Sequence, residues 1–211
     1  MPAFTRFRPL LRFRLRTLFV LAVVVGLVFA WIHAGREQRE RVAGMTKSNP
    51  SAVVLYDYEL HDDGTLNRPG EPPGPVWLRE RIGVDYLADV AGVDLMYPTD
   101  ADIAHLARFP NLRRLHFERS IDLTDAGLEP LLDLKQLEFL VLGEPDQITD
   151  AGLRTLGQMK SLADLRLHRG RHMTDAGIAA LKRSLPHCRI TIVDVYEEEV
   201  LARWVPCSSL P

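Results

Sequence analysis

The chain is poor in the residues that build stapled or catalytic scaffolds. Among 211 residues it has two cysteines, Cys188 and Cys207, both near the C-terminus, which excludes a disulfide-dense framework. Either they are bridged to each other, or Cys188 is a buried thiol and Cys207 an idle one; we take the second reading, and neither identifies the redox compartment. Glycine-rich phosphate loops, zinc-type Cys/His spacings and serine-nucleophile motifs are all missing. Acidic residues are missing from Met1 to Arg16, where five arginines stand: Arg6, Arg8, Arg12, Arg14 and Arg16. Removing those five from the chain's 26 lysines and arginines leaves 21 basic against 28 acidic residues, so the body carries −7. A basic tip on an acidic body speaks against nucleic acid as a partner, because phosphate binding needs a basic face on the folded domain.

Charge is also missing from Thr17 to Ala34, TLFVLAVVVGLVFAWIHA. Those 18 residues lie near the lower limit for crossing about 30 Å of hydrocarbon as a helix. The arginines before the run predict a cytoplasmic N-terminus, with everything after residue 35 exported. Trp31 stands where an interfacial aromatic belongs. A cleaved signal peptide shares the basic start and the apolar run, but the run is long and Ile32-His33-Ala34 matches a cleavage site poorly. The expectation is a single-pass protein of the inner, cytoplasmic membrane with an uncleaved signal-anchor; a cleaved, secreted form is the alternative. A buried soluble helix fits less well, since the run is apolar on every side.

Residues 36–47 (REQRERVAGMTK) are charged and read as a helical continuation out of the membrane. Ala52 to Glu59 (AVVLYDYE) reads as a strand, and the acidic, Gly/Pro-rich HDDGTLNRPGEPPGP as an irregular loop. His61, Asp62 and Asp63 suggest a metal site, but a hard cation needs several converging oxygens, so a solvated turn is the better reading. Val76 to Val90 carries Trp77, Leu78, Ile82, Tyr86, Leu87 and Val90 at roughly helical intervals and predicts an N-terminal capping helix.

The strongest signal is a repeat. Thr99-Asp100-Ala101, Thr124-Asp125-Ala126, Thr149-Asp150-Ala151 and Thr174-Asp175-Ala176 follow one another at intervals of 25 residues, the signature of a solenoid. Leu112, Leu115 and Phe117 keep step with Leu137, Leu140 and Leu142, and with Leu162, Leu165 and Leu167. Leu128 and Leu131, Leu153 and Leu156, and Ile178 and Leu181 recur in the second half of each unit. Ile190 and Ile192 extend the strand positions by one period, and Val90, Val93 and Leu95 precede them.

This pattern, L-x-x-L-x-L followed by [ILM]-T-D-A-G-[LI]-x-x-L, resembles the leucine-rich repeat superfamily. It is most similar to the TDAGL repeats of planctomycete-type bacterial envelope proteins, in which an anchor, a YDYE-like strand, a Pro-rich segment, a W-L-R helix and a closing L-P-x-C-x-I also recur. Here these are Tyr56 to Glu59, Pro72 to Pro75, Trp77-Leu78-Arg79 and Leu185 to Ile190, so the likeness spans most of residues 10–193. Where the cysteine-containing repeat subtype has cysteine, this chain has Ser120, Pro145 and Gly170, which removes the case for an F-box-like adaptor. The resemblance implies an α/β fold: a short right-handed solenoid with parallel strands on the concave face and helices on the convex face, behind one transmembrane helix. The expected divisions are a cytoplasmic tip (1–16), a membrane helix (17–34), a juxtamembrane linker (35–51), a strand, loop and capping helix (52–89), repeats (90–193), and a C-terminal cap and tail (194–211) that includes Tyr196 to Val205.

Alternation along the strands puts leucines inward and the intervening residues on the concave face. Thr124, Thr149 and Thr174 suit helix N-caps, and the aspartates after them suit the positive end of the helix dipole. Leu128, Leu131 and Leu134 share a helical face. One unit cannot bury that face alone, so stacking is obligatory. Three concave rows follow: Gly92, Arg114, Phe139, Asp164, Arg189; Asp94, His116, Val141, Arg166, Thr191; Met96, Glu118, Gly143, His168, Val193. Phe139 and Val141 form an apolar centre, with Arg114, His116, Glu118, Asp164, Arg166 and His168 around it, the layout of a protein-binding hot spot. A plainer reading is that Phe139 and Val141 only favour a strand. For catalysis the candidate pairs are His116 with Glu118 and His168 with Asp164, but no nucleophile or metal motif joins them. The sequence therefore predicts no catalysis, no metal and no small-molecule cofactor. It predicts a binding module for a protein or envelope component, with a structural envelope subunit as the second possibility and an exported hydrolase as the third.

Overall fold

The computed structural model describes residues 15–61, 65–67 and 70–194. Helix α1 (Leu15–Ser48) is followed by β1 (Val53–Tyr56), α2 (Val76–Ile82), β2 (Val90–Leu95), α3 (Asp100–Leu106), β3 (Arg114–Phe117), β4 (Phe139–Leu142), α4 (Asp150–Leu156), β5 (Asp164–His168), α5 (Asp175–Ser184) and β6 (Arg189–Val193). The chain is thus α/β, with one six-stranded sheet ordered β1 to β6. All pairings are parallel except β1 with β2, which is antiparallel.

The register follows the 25-residue period. Val93, Leu115, Leu140, Leu165 and Ile190 pair in sequence across β2 to β6, and Leu95, Phe117, Leu142, Leu167 and Ile192 form the next such line. Both lines face a layer made by Ile103 and Leu106, Leu128 and Leu131, Leu153 and Leu156, and Ile178 and Leu181. Each such side chain contributes about 1.5–3 kcal/mol on full burial, so every added unit extends one interior. Between β3 and β4 the convex segment is a 3-10 helix (Ala126–Asp133) in place of an α-helix. The Pro130 ring crowds the carbonyl four residues back, at Ala126, which disfavours the α-helix, yet Leu128, Leu131 and Leu134 are still buried.

The threonines and aspartates do more than cap. Thr99, Thr149 and Thr174 are N-caps whose hydroxyls accept from Asp102, Ala151 and Gly177 N–H. Asp100, Asp150 and Asp175 stand in the first turn of their own helices, as expected, and Asp100, Asp125 and Asp150 also reach the next unit. Asp100 accepts from Thr124 N–H (3.0 Å) and hydroxyl (2.7 Å), Asp125 from the same groups of Thr149 (2.8 and 2.6 Å), and Asp150 from those of Thr174 (2.8 and 2.6 Å). Asp125 also accepts from Gly152 N–H at 2.9 Å. This explains the glycine after every Thr-Asp-Ala but the first: a Cβ on Gly127, Gly152 or Gly177 would lie 1.9–2.4 Å from a carboxylate oxygen of the preceding unit.

The N-terminal end differs from expectation. Residues 36–47 continue α1 as a helix to Ser48, as expected, but the end of the helix is packed into the fold where a juxtamembrane linker was expected: Met45 is fully buried in the common core with Val42 packed against it. Tyr86, in a 3-10 turn at Val84–Tyr86, lies so close to α1 that a Cβ on Gly35 would sit 2.2 Å from its ring. Gln38 donates to the carbonyls of Asp85 and Ala88. The helix expected over Val76 to Val90 ends at Ile82, because Gly83 takes φ +92°, and no residue of α2 is buried. The cap of the first unit is therefore α1. The strand expected over Ala52 to Glu59 shortens to Val53–Tyr56, and Asp57–Glu59 forms a 3-10 turn in which Glu59 accepts from Tyr56 N–H. The proposed C-terminal cap, Tyr196 to Val205, and Asp62 and Asp63 lie outside the described residues.

Leu140 pairs with Leu115 on one side and Leu165 on the other and is 1% exposed. Leu140→Ala is expected to lower unfolding free energy by about 2–5 kcal/mol in denaturant titration. A loss well under 1 kcal/mol would contradict the shared interior.

Candidate functional site

The side chains between the leucines fall on the opposite face of the sheet. Arg114, Phe139, Asp164 and Arg189 pair in sequence along one line, and His116, Val141, Arg166 and Thr191 along the next, as the alternation predicts. The third predicted row is only partly a sheet feature. His168 faces Val193 in register, whereas Met96, Glu118 and Gly143 lie just past the ends of their strands. Gly143 is closed in there, since a Cβ would sit 2.0 Å from the Glu118 carbonyl.

Phe139 and Val141 are half-buried, with an ionic cluster on either side. On the N-terminal side Asp94 faces Arg114 Nε at 3.8 Å and His116 Nδ1 at 3.9 Å, and all three side chains are under one-fifth exposed. On the C-terminal side Asp164 accepts from Arg166 Nε at 3.2 Å and stands 3.8 Å from Arg189 Nη1. Each carboxylate is sheltered while a cation beside it is held in place. Asp94 and Arg189 were not singled out from the sequence, although both belong to the predicted rows; opposite charges on adjacent strands were the signal.

These pairings redirect the residues considered for catalysis. Asp164 turns its oxygens to Arg166 and Arg189, and the carboxylate across from His116 is Asp94 on β2. Burial lowers the His168 pKa below the ordinary histidine value, the Glu144 charge opposes this, and His116 adds to the lowering. No group of three or more metal-ligating side chains occurs among the described residues. Cys188 is unbridged and half-buried, its thiol pushed up to about 11 by burial and by the Asp164 charge, against the Leu165 backbone; such a thiol is a poor nucleophile at neutral pH.

A groove of about 430 Å³, not anticipated from the sequence, opens past the ends of β4 to β6 between Glu144, Asp146, Arg169, Arg171, Met173 and Asp194. Its charges pair across it, Arg171 with Asp146 at 3.7 Å and Arg169 with Asp194 at 4.0 Å. Glu144, at its lip, has φ +46°.

At the N-terminal end a carboxylate fastens α1 to the first unit. Asp102 occupies the position held by glycine in later units, and it accepts from Thr99 N–H and hydroxyl, from Ser48 (2.8 Å) and from Asn49 (3.4 Å). Burial alone would raise its pKa, but these hydrogen bonds outweigh it and hold the carboxyl below the ordinary value.

Fold and site together define an α/β chain with a mostly parallel six-stranded sheet behind one helix, α1, long and apolar enough to cross a membrane. No protein-family model matches the chain, and a search of curated proteins found no relative.

Because the folded-state pKa of Asp102 is depressed, its stabilising contribution is complete above the unfolded value of about 3.9 and is lost as pH falls through the lower folded value. Amide exchange of residues 42–50 in detergent-solubilised protein is therefore expected to stay slow from neutral pH to about pH 4 and to accelerate below it, after correction for intrinsic rates. Uniform protection to the lowest pH would contradict the fastening role.

Proposed function

We propose that this chain is a non-catalytic, membrane-anchored leucine-rich repeat protein that binds a protein or cell-envelope component through the concave face of its sheet. The observation that carries this reading is the apolar pair Phe139 and Val141, set in register between two ionic clusters built on the sheltered carboxylates Asp94 and Asp164. Apolar centres ringed by fixed charges favour macromolecular partners, because the charges steer and orient while the centre supplies burial. The 25-residue period and the stacked strands support a short right-handed solenoid. Thr17 to Ala34 is read as a single pass through the cytoplasmic membrane, with the N-terminus in the cytoplasm and the repeats outside. A cleaved secreted form fits less well, since α1 continues unbroken into the core at Met45. No catalysis, cofactor, metal or nucleic acid is invoked.

Phe139 and Arg166 are taken as the anchoring residues. Affinity capture with the full chain, followed by titration of the captured partner against Phe139→Ala/Arg166→Ala, should show a loss of about tenfold or more. Unchanged affinity, with the fold intact by circular dichroism, would count against this face.

A second reading, a structural subunit assembled through its anchor or helix faces, draws support from the same continuity of α1 with the sheet. Crosslinking in intact cells separates the two: contacts on β3 to β5 favour binding through the concave face, and contacts on residues 17–47 favour assembly.

A further inference from the structure

Short helix α2 presents an apolar side to solvent. Trp77 is 65% exposed and Val76 57%, beside Arg79 and Arg81, although the chain has only three tryptophans. Nothing in the described fold covers them. Their position relative to α1 is defined. The Trp31 and Tyr86 rings meet edge-on at 5.9 Å, and Tyr86 rests on the α1 backbone at Gly35, one residue past the apolar run. The turn carrying Tyr86 follows α2 directly, after Gly83. On the other side of α2, Gly74 is packed against Leu87, which lines a small cavity with Trp31, Ala34 and Gly35. Residues 84–88, which follow α2 directly, are thus packed against α1 where its apolar stretch ends and hold α2 beside it as a shelf.

We infer that α2 is a second, peripheral membrane contact, with Trp77 and Val76 inserted at the headgroup level of the bilayer that α1 crosses. This rests on reading α1 as a membrane span. The occupant is a lipid surface because the turn that follows α2 meets α1 at Trp31 and Gly35, where the membrane-length run ends, and the seven-residue α2 reaches only about 10 Å from it. Tryptophan is favoured there, its ring apolar and its N–H wet, and arginine reaches lipid phosphates beside it. Two contacts, α1 and α2, fix the domain's tilt where a single helix would let it rotate.

The full chain is reconstituted in phosphatidylcholine vesicles with bromine on shallow acyl carbons, as variants retaining one tryptophan each: Trp31→Phe/Trp204→Phe and Trp77→Phe/Trp204→Phe. Emission of Trp77 is expected to be quenched about twofold or more relative to unbrominated lipid, as is that of Trp31. Subtracting the Trp77→Phe signal from the unaltered chain must give the same quenching, which guards against disturbance of the Trp31–Tyr86 contact. Quenching of Trp31 without Trp77 overturns the inference and leaves the span standing. Quenching of neither overturns both. An unquenched, blue-shifted Trp77 that varies with protein-to-lipid ratio overturns it in favour of a second copy on this face.

Discussion

Each unit of this chain is finished by a residue of the unit before it. The carboxylate of Asp100, Asp125 or Asp150 accepts both the N–H and the hydroxyl of a threonine 24 residues on, at the point where the next convex segment starts. Hydrogen bonds to a charged acceptor are stronger than those between neutral groups, and here they lie where the convex-side segments begin and N–H groups lack partners of their own. The ladder runs along one edge of the leucine interior, so burial and polar satisfaction impose the same 25-residue spacing. A shift of one unit against its neighbour would break both.

The two ends of the ladder show how strict the constraint is. The first unit has no predecessor, and Asp102 stands where glycine stands later, placing its own carboxylate where a preceding aspartate would reach. Ser48 and Asn49 of the α1 terminus then bind that carboxylate, so the membrane-length helix takes the place of a missing unit. At the far end Asp175 pairs with Arg169 at 2.6 Å. The strand register set by this scaffold places Asp94 and Asp164 beside arginines on either side of Phe139.

Much of this was legible in the sequence, because a period shared by leucines and by Thr-Asp-Ala determines strand register. The lines Arg114–Phe139–Asp164 and His116–Val141–Arg166 could be written from the spacing alone. The aspartates' place in the first turn of their own helices was legible, but their reach to the next unit was not, because both roles occupy the same position in the pattern. The helical continuation of α1 through residues 36–47 was legible, but its packing against the first unit was not, because the charged residues around Met45 and Asn49 obscure the burial of those two. The capping helix was drawn too long because apolar spacing continues through Gly83, whose backbone conformation ends α2. The antiparallel placement of β1 has no local signal. At the candidate site the rows were legible, but the pairing of Asp94 and Arg189 with residues on neighbouring strands was not, since it depends on side-chain direction.

The coupling between Asp125 and Thr149 tests the central claim most directly. Unfolding free energies of Asp125→Ala, Thr149→Val and the double variant form a cycle in which the account predicts a coupling of about 1 kcal/mol or more, each single change removing the same inter-unit contact. Strict additivity would mean that the units do not complete one another, and the account would fail.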